Sequence, residues 1–181
     1  MTDERDPFDP AGETARELRE AVGHEFRSEA EAAEEDARKM ALRSRTMSHV
    51  AYELMARGDH AAIHAGDAVF SGPVTHTRAN LAILRLASDG IAYVNLDGPI
   101  VVRILDAQSP RSVADGAGPT SFLAALRELD IKGTTVSIHV PSSIGEVAGR
   151  IEAVTPDHVM LDATAATYHI PLRNIAVVVP R

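Results

Sequence analysis

The chain has 181 residues and a formal net charge of −8, with 45% hydrophobic but only 4% aromatic residues. It contains neither Cys nor Trp, which excludes disulfides, thiolate catalysis and Cys-ligated zinc and leaves a core built from Val, Ile, Leu and Ala. The acidity is uneven: residues 1–39 carry 13 acidic and 6 basic side chains (−7), so the rest sums to −1 and lacks the basic footprint of a general nucleic-acid binder.

The opening Met1-Thr2-Asp3-Glu4-Arg5 is acidic with no apolar run behind it, unlike a signal peptide. No stretch approaches the ~18 apolar residues of a transmembrane helix. With the absence of Cys, this gives a cytoplasmic protein with no membrane partner as the expectation. Lys39 and Lys132 are the only lysines beside many arginines, a usage that a GC-rich genome produces.

Residues 1–27 read as an acidic, partly disordered tail. Pro7, Pro10 and Gly12 lie among acids, and a short helix over 13–22 is weakened at Gly23. Ser28 reads as an N-cap, with Glu29 and Glu31 in a first turn that suits the helix dipole. One long helix is expected over 28–58, stopped by Gly58. Met40, Met47, Val50 and Leu54 recur at helical spacing and form the candidate partner-binding stripe. A helix of about thirty residues extends ~45 Å, more than one small β domain covers, so part of it projects or pairs with another copy. Arg43, Arg45 and Arg57 read as a solvated face balancing Glu34, Glu35 and Asp36.

Short β runs follow, separated by turn signals. Over 59–105 strands are expected at His60–Ala65, Gly72–Thr77, Leu81–Ala87, Ile91–Leu96 and Pro99–Leu105, with Asp89-Gly90 as a tight turn. Residues 106–118 read as a linker rich in Ser, Ala, Gly and Pro. The segment 119–181 opens with a short helix, Phe122–Leu129, capped by Ser121. Strands then follow at Thr135–Val140, Glu146–Val154, His158–Asp162, Thr167–Pro171 and Ile175–Val179.

The two β segments repeat one pattern at an offset of about 76 residues, as an internal duplication does. Gly58 matches Gly133, Ile63-His64 matches Ile138-His139, and Gly72 matches Gly149. Leu84 matches Leu161, Val94 matches Ile170, and Leu96 matches Leu172. The frame Gly149-Arg150-Ile151, Val154, the turn Thr155-Pro156-Asp157 and Val159-Met160-Leu161, closed by Ile170-Pro171-Leu172-Arg173-Asn174-Ile175, resembles the Sm-like and SH3-like small β-barrels. The first segment resembles them more loosely through Gly72, Val74, Leu84, Leu96 and Gly98. The resemblance implies an α+β chain: an N-terminal α-helical arm and two tandem five-stranded antiparallel barrels, each preceded by a helix. It also implies an Asp and a nearby Asn that help hold a base. Those places carry Arg78 or Thr155 and then Ala82 or Val159, while Asp97-Gly98 and Arg173-Asn174 replace the Arg-Gly pair of the second motif. Fold similarity alone carries no function.

No motif for catalysis stands out, and no phosphate-binding Gly loop is present. His60 and His64 sit four apart, but on a strand they read as ordinary edge histidines. His158 and His169 are expected to be neighbours on adjacent strands, and a pairing with Ser142 or Ser143 lacks any nucleophile elbow. A pocket lined by His64, His76 or His139 would be needed for a small-molecule or metal enzyme. No catalytic residue, metal ligand or cofactor is assigned.

The leading expectation is a non-enzymatic binding, scaffold or regulatory module. Its open barrel edges, chiefly Val101–Leu105 and Ala176–Val179, would pair with edges of other units. Its partners would be further copies, as a dimer through the long helices or a trimer of tandem units, or another protein. The alternative is RNA or single-stranded nucleic-acid binding through Arg78, Arg150 and Arg173. It is disfavoured by the near-neutral body and by the scarcity of stacking aromatics, with only Phe70, Tyr93 and Tyr168 in the barrels.

Overall fold

The computed structural model describes residues 10–106 and 118–181. Residues 1–9 of the tail expected over 1–27, and nearly all of the expected linker, lie outside the described residues; the remainder of that tail, 10–27, is helical rather than partly disordered. The described residues are α+β, with three helices and ten strands.

The first unit holds α1 (Pro10–Arg43), which runs without interruption through Gly23. The helix expected over 28–58 is therefore two helices. α1 ends at Arg43, and α2 (Met47–Arg57) begins the second unit behind Thr46. Thr46 has extended φ/ψ and its side chain accepts from the His49 N–H, while the His49 ring accepts the Thr46 N–H. That reciprocal pair starts a new helix. Gly58 ends it with φ 68°, the left-handed conformation that glycine adopts freely.

The second unit continues with β1 (His60–Ala65), β2 (Ala68–Arg78), β3 (Leu81–Arg85), β4 (Ile91–Asn95) and β5 (Val101–Asp106). After α3 (Phe122–Ile131) come β6 (Thr135–Val140), β7 (Gly145–Val154), β8 (His158–Ala163), β9 (Ala166–Pro171), a 3-10 turn (Leu172–Asn174) and β10 (Val177–Pro180). All ten strands expected from the turn signals are present. They do not form two closed barrels. They hydrogen-bond as one open antiparallel sheet in the order β5-β1-β2-β3-β4-β10-β6-β7-β8-β9.

The two halves of this order use the same registers. β2 pairs with β1 through Ala68–Pro73 and with β3 from Val74 onward. β7 changes partner from β6 to β8 around Arg150. A bulge follows each change, between Val74 and His76 and between Ile151 and Ala153. Such a bulge bends a strand sharply. The Leu96 N–H donates to the Asn80 carbonyl and the Leu172 N–H to the Asp157 carbonyl, each at 2.8 Å. Ser121 caps α3 by accepting from the Ala124 N–H, as Thr46 does from His49.

Two apolar cores lie along the sheet, and each draws on both halves. One joins Leu81, Ile83 and Tyr93 to α3 and to the strands from β6 onward. The other joins α2 and β1–β4 to Ala176 and Val177. Phe122, Leu126, Ile138, Leu161, Val177 and Val178 are all fully buried, so side-chain burial fastens the halves together as well as backbone pairing.

Candidate functional site

The strand Ala176–Val179 is not an open edge, as the sequence reading had it. β10 lies between β4 and β6, with Val177 opposite Val94 and Val178 opposite Tyr93 on one side, and Val177 opposite His139 on the other. It does join the edge of the other half, but within the same chain. Asn95 fixes this seam. Its side-chain amide donates to the carbonyls of Leu172 and Ile175, each at 3.0 Å, and its Oδ1 accepts the Asp97 N–H at 3.2 Å. Asn95 is 2% exposed, so its amide is held in a place where an unpaired polar group is costly. The rings of Phe70 and His139 meet edge-on across the seam, 4.7 Å apart.

The two ends of the strand order are β5 and β9, and neither has a strand partner on its outer side among the described residues. β5 exposes Val101, Ile104 and Leu105, Val101 to 65%. Beside β9 lies a cleft of about 370 Å³, lined by Val140, Ile144, Val147, Tyr168 and Ile170, with Ser142, His169 and Arg173 at its polar parts. An exposed apolar strand edge is a template for another strand.

The other residues singled out in the sequence do not converge. Arg78 ends β2, Arg150 lies mid-way along β7, and Arg173 lies in the 3-10 turn, all three exposed. The Arg150 guanidinium lies over Gly133 behind α3. The Met40–Leu54 stripe is divided: Met40 is exposed on α1, Leu54 is buried, and Met47 and Val50 pack on the first-half core.

His158 and His169 are neighbours, with ring centroids 5.4 Å apart. His158 Nδ1 lies 2.7 Å from the Asp157 carboxylate and 2.9 Å from the Thr155 hydroxyl. Hydrogen bonds from His158 first and Thr155 second hold the exposed Asp157 carboxyl below its ordinary pKa. Ser142 and His169 share the cleft wall, but the Ser142 hydroxyl accepts the Ile144 N–H in its own turn. His76 is buried, with Nε2 3.0 Å from the Pro119 carbonyl. His64 lies half-buried on β1 opposite Val69 and Val101.

His139 lies by a second cleft, between the β1–β2 and β6–β7 turns, with Glu146. Burial pushes the His139 pKa down, against the pull of Glu146. Arg181 reaches Ser137 and Glu146, each at 2.5 Å. Glu146 is held low, by Ser137 first. Among the described residues no three His, Asp or Glu side chains gather as a metal-holding group, and no helix is long and apolar enough to cross a membrane.

A family model described as "Domain of unknown function (DUF2642)" matches residues 125–180, from the first turns of α3 to the end of β10. Among curated proteins, none matches the chain.

Proposed function

We propose that this protein is a non-enzymatic cytoplasmic binding or scaffold module. In this reading it is built from a tandem pair of Sm-like units and acts by protein–protein pairing at its sheet edges. The tandem reading draws support from the shared registers, the matched bulges and the matched helix caps of the two halves. The family match supports it too, since its limits fall on the second half alone. The observation that carries the function is the β4–β10 seam. One edge of each half is already engaged by edge-to-edge pairing, and the remaining edges, β5 and β9, carry exposed apolar residues or an apolar cleft.

Native mass spectrometry of the protein isolated gently from its host tests this. A defined protein assembly free of nucleic acid, lost on Val101→Asp, is expected. Co-isolated RNA released by high salt, and lost in an Arg78→Ala/Arg150→Ala/Arg173→Ala variant, would replace this reading with the nucleic-acid one. The spread of these three arginines over separate elements weighs against that outcome.

A further inference from the structure

We propose that His158, Met160 and His169 form a surface site for a copper(I) ion on the outer face of the β8–β9 hairpin. The site goes beyond the edge-pairing reading and does not depend on it.

The register of the hairpin brings the three side chains together. Along β8, Val159 and Leu161 are fully buried, so alternation leaves His158 and Met160 on the opposite face. Along β9, Ile170 is buried and His169 is exposed. Met160 lies directly opposite His169, and His158 lies one row along, opposite Pro171. Facing residues of an antiparallel pair stand side by side, and a diagonal neighbour stays within reach of a long or aromatic side chain. The His158 and His169 rings meet across that diagonal, with centroids 5.4 Å apart and planes tilted by 38°. An imidazole nitrogen bonds a metal at about 2 Å, which sets the ring centre about 3 Å from the ion, so two rings on one ion stand roughly 5 Å apart.

Hydrogen bonding fixes which nitrogen His158 offers. The Asp157 carboxylate can only accept, so His158 Nδ1, 2.7 Å from it, carries the proton. The neutral ring then keeps its lone pair on Nε2. A carboxylate behind a ligating histidine holds the ring in place and raises its basicity. The Thr155 hydroxyl, 3.0 Å from the Asp157 carboxylate, holds that carboxylate in turn.

The donor set selects the metal. Among the described residues no third His, Asp or Glu joins the two histidines, which leaves the Met160 thioether as the third donor. Two imidazoles and a thioether carry no negative charge. Thioether sulfur is soft and favours copper(I), which imidazole also suits, whereas hard divalent ions call for carboxylate oxygen.

The test titrates the purified full chain with copper(I), without oxygen, against a chromogenic copper(I) chelator. One equivalent per chain is expected, with a copper–sulfur distance in X-ray absorption. Asp157→Asn is expected to weaken binding about tenfold or more, the usual effect of losing an outer-shell partner, and His169→Gln at least as much. Met160→Leu is expected to remove the copper–sulfur signal and weaken copper(I) binding while leaving zinc(II) binding unchanged. His64→Gln and Met47→Leu, on other elements, are expected to change nothing. The three ligand positions face outward, so every variant at them is expected to keep the circular dichroism spectrum of the parent. Failure to hold copper(I) against the chelator, or equal affinity in a His158→Gln/Met160→Leu/His169→Gln variant, would overturn the proposal. Zinc(II) held more tightly than copper(I), with M160L indifferent, would overturn it too. The edge-pairing reading is judged by the state of assembly, so either can fail without the other.

Discussion

Gly72 and Gly149 hold the same place in the two halves of the sheet, each with a neighbouring strand's carbonyl where a side chain would be. A Cβ on Gly72 would lie 1.9 Å from the Arg85 carbonyl oxygen, and one on Gly149 2.3 Å from that of Asp162. Backbone cannot swing aside as a side-chain tip can. Gly72→Ala and Gly149→Ala are therefore expected to destabilise by about 1–3 kcal/mol each, as overpacking does, with Gly72 the more sensitive. Urea denaturation checks this. Gly23→Ala on α1 is the contrast: nothing lies within 4 Å of its Cβ, and the change is expected to raise helicity, worth up to ~1 kcal/mol.

Asn95 is expected to be the most sensitive polar residue of the seam. Asn95→Ala removes the donors to the Leu172 and Ile175 carbonyls and should cost roughly 1–3 kcal/mol, the range for buried groups left unpaired. Asn95→Asp is expected to be worse at neutral pH, because a carboxylate would then face two carbonyl oxygens. Equal stabilities of N95A and N95D in chemical denaturation would contradict this arrangement.

His139 gives stability a dependence on pH. Burial lowers its folded pKa below the ordinary 6.5, so the unfolded chain takes up this proton first as pH falls. The contribution is present above pH 6.5 and is lost as pH drops from there toward the folded value. Thermal unfolding between neutral and mildly acidic pH is expected to show a falling midpoint, and His139→Gln should flatten that part of the curve. The depressed Glu146 and Asp157 act in the same direction at lower pH, because their carboxylates favour the fold only while ionised.

Thr46 and Ser121 begin α2 and α3 with the same hydrogen bond, from the N–H three residues on. Alanine at either place is expected to cost about 1 kcal/mol, the usual value of a cap. Thr46→Ala should cost more than Ser121→Ala, because it also disturbs the reciprocal bond with His49. Paired denaturation curves decide the order.

The strands were legible because Gly, Pro, Asp and Asn punctuate short β-branched runs, and β1 and β6 fall on the expected residues to the position. The break between α1 and α2 was hidden because no Gly or Pro marks it; the signal was Thr46 followed three residues later by His49. The open sheet was not legible, since the partner of an edge strand is a long-range choice that local pattern does not encode. In the sequence Asn95 is one polar residue at the end of an apolar run, and nothing local marks it, because its acceptors lie 77 and 80 positions away. The Ala176–Val179 edge was recognised as pairing-prone, but its partner proved to be β4 of the same chain.

The order of synthesis adds a consequence to β10's central position. β4 leaves the ribosome long before β10, the strand that covers it. Through that interval a nascent first half bears both β4 and β5 uncovered, and two such intermediates on neighbouring ribosomes would be matched to stick to one another. The seam is safe from this only once the second half emerges on the same chain. Slowed translation between α3 and β10 would therefore be expected to lower the yield of folded protein without altering the fold of the molecules that finish.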